Sequence, residues 1–247
     1  MNVVITGATG QIGRVIAKEF ARRGANLVLI DLYQNSKQLN ELTSTISLEY
    51  KVQVMPTVID IRDISAIKDG VESFSVTFPV IDILINNAGV NSLNSALQVT
   101  PEIWDQIVDT NLRGTFFMSQ AIAPLMIKQK CGSIVNIASQ HGIVGSENRA
   151  PYCASKAGLI NLTNALSIEW AKYGIRVNCV SPTFVQSDKN KELLYSLSFK
   201  NENLSRIPLR RYAMPIDVAN AAIFLSSSEN NMITGHNLVV DGGWTSI

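Results

Sequence analysis

Short apolar runs rich in β-branched residues recur along this chain, and longer stretches of helical period separate them. The runs are "NVVIT" at 2 to 6, "NLVLID" at 26 to 31, "VQVMPTVID" at 52 to 60, "IDILINN" at 81 to 87, "GSIVNIAS" at 132 to 139, "IRVNCVS" at 175 to 181 and "HNLVVD" at 236 to 241. Most are continuous in apolar character, as strands covered on both faces are. Repeated strand and helix imply a parallel sheet, because parallel neighbours need long crossovers that helices supply. The expected fold is therefore α/β, a doubly wound parallel sheet of about seven strands with helices on both faces. A length of 247 residues suits a single domain spanning 1–247.

The helical stretches carry their own signals. In "QIGRVIAKEFARRGA", Ile12, Val15, Ile16, Phe20 and Ala21 recur at helical spacing, and Gly24 supplies a stop. Thr100, Pro101 and Glu102 open a long helix reaching about Lys130, and another covers 152 to 172. The irregular segment from Thr183 to Arg210, with a short amphipathic helix in "KELLYSLSF", is expected to be a mobile substrate lid.

Composition excludes several classes of function. With 46% hydrophobic residues, 17% charged residues and a formal net charge of +1, neither disorder nor a nucleic-acid surface is indicated. No apolar run approaches the roughly 20 residues that cross a bilayer, and no leader pattern opens the chain, so a cytoplasmic protein with small-molecule ligands is expected. Cys131, Cys153 and Cys179 have no paired spacing with each other or with His141 and His236. They are expected to be packing residues, with no metal site and no disulfide.

The stretch "TGATGQIG" at 6 to 13 lies between the first strand and the first helix. A turn there aims backbone N–H groups and the positive helix end at a phosphate, although glycines also serve tight corners. Asp31 ends the second strand, 18 residues after Gly13, where an acidic side chain meets an adenosine ribose. A carboxylate there accepts from the 2′- and 3′-hydroxyls and repels a 2′-phosphate, which favours NAD. In "YCASK", Tyr152 and Lys156 lie one helical turn apart, so an ammonium can stabilise a phenolate that otherwise forms near pH 10.

Taken in order, "TGATGQIG", Asp31, "NNAG" at 86 to 89, Asn111, Ser139, "YCASK", "NCVSP" at 178 to 182 and "VVDGG" at 239 to 243 resemble the short-chain dehydrogenase/reductase family, in its shorter single-domain branch with a Rossmann-like fold. The resemblance covers essentially the whole chain, and Ser139 stands thirteen residues before Tyr152. It implies that Tyr152 is the acid/base, that Ser139 hydrogen-bonds the substrate oxygen, that Lys156 lowers the phenol's proton affinity and holds the nicotinamide ribose, and that Asn111 positions a relay water. It further implies cofactor contacts from Gly7, Thr9, Gln11, Ile12, Gly13, Asp31, Asp60, Ile61, Asn87, Ala88 and Gly89, and from Tyr152, Lys156, Pro182, Thr183, Val185 and Ser187. Dimers or tetramers built on the two long helices are implied as well.

Two departures stand out. The branch places glycines at 7, 11 and 13, whereas this chain has Gly10 with Gln11 in the middle place; and Thr183 stands where glycine is common. The first departure keeps two alternatives open, a non-catalytic dinucleotide sensor and a nucleotide-sugar epimerase. "QHGIVGSENRAP" should form a pocket wall in which His141 joins Ser139 and Tyr152 in binding substrate. Glu147, Asn148 and Arg149 add polarity, which suits a sugar, polyol or hydroxy acid; equally, these side chains, like Arg210 and Arg211, can simply face water.

Overall fold

The computed structural model describes residues 1–188 and 190–246; position 189, inside the expected lid, lies outside the described residues. Seven strands form one sheet: β1 (Asn2–Thr6), β2 (Asn26–Asp31), β3 (Val54–Val58), β4 (Ile83–Asn86), β5 (Gly132–Ile137), β6 (Ile175–Pro182) and β7 (Asn237–Val240). They run in the order β3-β2-β1-β4-β5-β6-β7, and every pairing is parallel. The described helices are α1 (Gln11–Arg22), α2 (Ser36–Tyr50), α3 (Ile64–Thr77), α4 (Pro101–Val108), α5 (Thr115–Gln129), α6 (Ala150–Trp170), α7 (Lys191–Tyr195), α8 (Leu197–Asn203) and α9 (Pro215–Ser226).

Successive strand residues point to opposite faces, so the continuous apolar runs feed two cores. On one face Val3, Ile5, Leu27 and Leu29 meet Ile16 and Phe20 of α1, Leu39 and Ile46 of α2, and Val218 and Leu225 of α9. On the other, Val4, Val28 and Ile30 meet Ile67 and Phe74 of α3, Met118 and Ile122 of α5, and Leu166 and Trp170 of α6. Burying each such side chain contributes about 1.5–3 kcal/mol. The single doubly wound α/β domain read from the sequence is what the chain forms.

Three local expectations change. β3 is shorter than 52 to 60 and only partly buried, because it is an edge strand and its Pro56 has no N–H to give to a further neighbour. The helix begun at Pro101, where Thr100 Oγ1 accepts from the Ile103 N–H at 3.4 Å, widens into a π-helical segment at Asp109–Gly114 before α5. Cys131 is exposed and Cys153 half-buried, so only Cys179 is a buried packing residue.

The sheet grows outward in both directions from β1, and the crossovers diverge between β1 and β4. That divergence opens a crevice at the carboxyl ends of the strands. The glycine turn after β1, Asp31 at the end of β2 and the loop after β4 all meet there.

Candidate active site

At the crevice, Gly7 has φ +63° and makes the turn off β1. A side chain there would meet the Ala88 backbone at 2.8 Å, so the position needs glycine for both conformation and space. At Gly13 a Cβ would lie 2.3 Å from the Gly7 carbonyl oxygen. Gly10 stands just before α1 with its N–H donating to the Gly7 oxygen at 3.1 Å, and Gln11 begins the helix on the crevice wall. The displaced glycine is thus accommodated without disturbing the helix entry. No acidic side chain occupies the first turn of α1, which leaves its positive end able to take an anion. "NNAG" braces this turn: Asn87 Nδ2 donates to the Thr6 and Gly7 carbonyls at 3.0 Å each, and the Asn87 and Ala88 N–H groups donate to Thr6 Oγ1 at 3.0 Å.

Asp31 is buried and already fully engaged. Its Oδ2 accepts from the Thr9 N–H at 2.9 Å and Thr9 Oγ1 at 2.8 Å; its Oδ1 accepts from the Leu32 N–H at 2.9 Å and Asn35 Nδ2 at 2.6 Å. Four donors fill the four lone-pair positions of a carboxylate. The sequence pointed to open acceptor positions here; instead Asp31 ties the glycine turn to the end of β2 and offers the crevice a fixed negative charge. Asp60 likewise is paired, gripped by Arg62 through Nε at 3.0 and 3.1 Å and Nη2 at 2.5 Å, which holds its carboxyl below the usual range. Ile61 supplies the apolar wall beside it.

At the other end, α6 presents Tyr152 and Lys156 on one turn. The Lys156 Nζ lies 5.8 Å from the Tyr152 ring centre and donates to the Ile137 carbonyl at 2.8 Å. Burial pushes the lysine down to about 8. Burial also pushes the Tyr152 phenol above its ordinary value, opposed by its hydrogen bond with Ser139 and by the positive charge of Arg149. The expected depression of the phenol is therefore reversed in direction, because removal from water outweighs the nearby charges. Asn111, fully buried in the π-helical segment, accepts at Oδ1 from the Val90 N–H at 2.8 Å and donates to the Val90 carbonyl at 2.9 Å and Ser155 Oγ at 3.0 Å. A Cβ on Gly89 would stand 3.2 Å from Asn111 Oδ1 and 3.4 Å from Lys156 Nζ, so glycine keeps this junction open.

Two clefts make one trough. A volume of about 690 Å³ runs from Asp31 and Asp60 past the glycine turn, and one of about 510 Å³ surrounds Ser139, Tyr152 and Lys156; they share Ile12, Asn87, Gly89, Val90 and Val185 as walls. The trough suits a dinucleotide: a helix end at its middle, the Asp31 carboxylate at one end, and Pro182 with the unpartnered, buried Thr183 hydroxyl at the other. Ser187 stands apart from it, its Oγ accepting from the Asn190 N–H at 3.1 Å. Of the polar wall, His141 and Arg149 line the cleft, whereas Glu147 and Asn148 are exposed. Arg211 pairs with Asp217 at 2.6 Å and Arg210 donates to the Ser205 carbonyl at 2.7 Å, both away from the cleft lining.

The expected lid packs α7 and α8 over the cleft on a cluster of Leu194, Ile207, Tyr212 and Trp244. Phe184 is its hub, with ring centres of His141, Phe199 and Trp244 within 5.2–5.7 Å. Sequence reasoning did not single out Phe184, nor Asn35 on Asp31. Neither belongs to a motif, and only the count of aromatics near the segment hinted at the cluster.

A profile for the family described as Enoyl-(Acyl carrier protein) reductase matches residues 7–245. The NAD-dependent glycerol dehydrogenase of Listeria innocua is 37% identical over 246 residues, 98% of this chain and 92% of that protein. The 3-oxoacyl-(acyl-carrier-protein) reductase FabG of Thermotoga maritima is 37% identical over 241 residues, 97% of this chain and 96% of that one. Among solved structures, a gluconate 5-dehydrogenase from Burkholderia cenocepacia in complex with NADP and tartrate superposes with a TM-score of 0.94 at 30% identity, covering 100% of this chain and 95% of that one. Likeness at this level extends from the glycine turn through the Tyr152 helix to the last strand, and it makes the chain an oxidoreductase belonging to the short-chain dehydrogenase/reductase family.

Proposed function

We propose that the protein is an NAD-dependent dehydrogenase/reductase acting on the secondary alcohol or carbonyl of a small polar substrate. The observation that carries this reading is the continuous trough joining the Asp31 carboxylate, the glycine turn and the Tyr152–Lys156 turn of α6. A bound nicotinamide supplies or accepts the hydride. Tyr152 passes the accompanying proton at its phenol oxygen, and the Ser139 hydroxyl, lining the same cleft, shares the substrate oxygen and steadies its developing charge. A phenol raised by burial is fully protonated at neutral pH and ready to donate to a carbonyl. In the alcohol-oxidising direction its anion draws on the charges of Lys156 and Arg149. Asn111, set beside Gly89 and Lys156, is placed to carry the outward end of a proton relay.

NAD is favoured over NADP because Asp31 puts a fixed negative charge beside the ribose end, while the nearby Arg62 is committed to Asp60. The name of the Listeria relative agrees, although the Burkholderia structure carries NADP. Cofactor choice is tested by NADH and NADPH fluorescence titrations, with NADH expected about tenfold tighter or better; equal affinities would remove the Asp31 argument. Chemistry is tested by following NADH absorbance with polyols, sugar acids and hydroxy acids. Tyr152→Phe is expected to lower kcat by roughly 100- to 10,000-fold with cofactor binding retained. Turnover surviving in that variant would end the assignment.

A further inference from the structure

The substrate half of the trough has an unbalanced charge. Its walls include Arg149 and Lys156 but no aspartate or glutamate among the described residues. Lys156 is satisfied by the Ile137 carbonyl. The Arg149 guanidinium has no hydrogen-bond or ion-pair partner among the described residues; it lies over the Phe184 ring at 5.9 Å, and the residue is half-buried. A half-buried cation without a partner, facing a cleft, is stabilised by a ligand charge that pairs with it. Burial lowers the guanidinium from its ordinary value, in keeping with that reading.

A second, independent feature stands beside it. His141 is 7% exposed, and both of its ring nitrogens lack a partner although they are shut off from solvent. Its ring centre is 6.5 Å from that of Tyr152 and 5.7 Å from that of Phe184, the same ring that Arg149 covers. Burial and the charges of Arg149 and Arg206 push it down to about 4, so it is a neutral ring with one donor and one acceptor. A guanidinium and a neutral imidazole thus line the same cleft as the phenol. The remaining walls mix apolar side chains such as Leu93, Leu193 and Phe199 with the neutral polar ones of Asn91 and Asn190.

Resting on the oxidoreductase reading above, we propose that Arg149 is the anion-recognising residue of the substrate site, and that the substrate is a small hydroxylated anion, a hydroxy acid or sugar acid. Its negative group sits on the Arg149 fork, and the reacting oxygen meets Tyr152 and Ser139. The fork accepts a carboxylate or a phosphate, so the chemistry named is the anion.

The test compares alcohols of one skeleton: glycerol, glycerate and glycerol 3-phosphate, with glucitol and gluconate as a longer pair. The quantity read is the ratio of kcat/KM for anion over neutral alcohol in the wild type, Arg149→Lys and Arg149→Gln. The wild-type ratio is expected to exceed about 10, and Arg149→Gln to lower it roughly 10- to 100-fold, the worth of a charge-assisted hydrogen bond. Arg149→Lys should fall between, having charge without the fork. Whether glycerate or glycerol 3-phosphate leads identifies the anionic group. Calorimetric titration of tartrate or gluconate into the NADH-loaded protein gives a readout that needs no turnover: binding is expected in the wild type and at least about tenfold weaker in Arg149→Gln. A wild-type ratio at or below one, a ratio unchanged in Arg149→Gln, or no anion binding to the wild type overturns the proposal. Absence of NADH-linked turnover with every alcohol overturns the oxidoreductase reading alone, since anion binding by Arg149 is scored without catalysis.

Discussion

Tyr152 and Lys156 sit one turn apart on α6, yet burial drives their ionisation in opposite directions, the phenol upward and the ammonium down to about 8. Each is thereby made less willing to carry charge on its own, which suits a pair whose charges appear together during proton transfer. His141 follows the same rule and leads to a stability prediction. Its folded value of about 4 lies below its ordinary 6.5, so between those values the unfolded chain holds a proton that the folded chain does not. Its contribution is present above pH 6.5 and is lost as pH falls toward 4, on the order of 3 kcal/mol in all. Urea titrations at about pH 7 and about pH 4.5 should show His141→Phe losing on the order of 2 kcal/mol less stability on acidification than the wild type; equal losses would refute it. Tyr152, Lys156, Ser139 and Asn111 were legible from the sequence because their order and spacing belong to a motif. The saturation of Asp31 was not, since Thr9 reaches it only once β2 and the glycine turn are brought together, and Asn35 only through the turn that follows β2.

The turn from β1 into α1 shows how tightly an element can be specified. A Cβ at Gly13 would press on the Gly7 oxygen at 2.3 Å, on Asn87 Nδ2 at 2.9 Å and on Ala8 Cα at 3.0 Å, three parts of the phosphate-side loop at once. Gly13→Val is therefore expected to weaken NADH binding at least about 100-fold while the sheet still folds, since the strain falls on the loop and not on the core. A fluorescence titration with circular dichroism as the control checks it; unchanged affinity would mean the loop does not hold the phosphates. The π-helical segment between α4 and α5 is the contrasting case. Its residues carry ordinary helical signals, and the widened turn depends on Asn111 finding Val90 and Ser155 from other parts of the chain.

At the scale of the molecule, the outer faces of α5 and α6 carry an apolar depression lined by Leu112, Phe116, Phe117, Gly158 and Leu162. Phe116 and Phe117 are only partly buried, with ring centres 5.1 Å apart. Arg113 lies over the Phe117 ring at 5.6 Å at its edge, and a second copy of the chain is the expected partner. Light scattering should report a dimer or tetramer, with Phe117→Asp shifting the mass toward 27.0 kDa; a wild type of that mass would refute it. The alternation of strand and helix was enough to determine the parallel sheet, and the ordered motifs the family, because periodicity and local spacing are properties of the chain alone. The order of strands across the sheet, the direction in which Tyr152 ionises, the saturation of Asp31 and the unpaired charge of Arg149 were decided only by tertiary structure. Burial and hydrogen-bond partners come from residues distant in sequence, and those two quantities set how strongly any charge in the trough is felt.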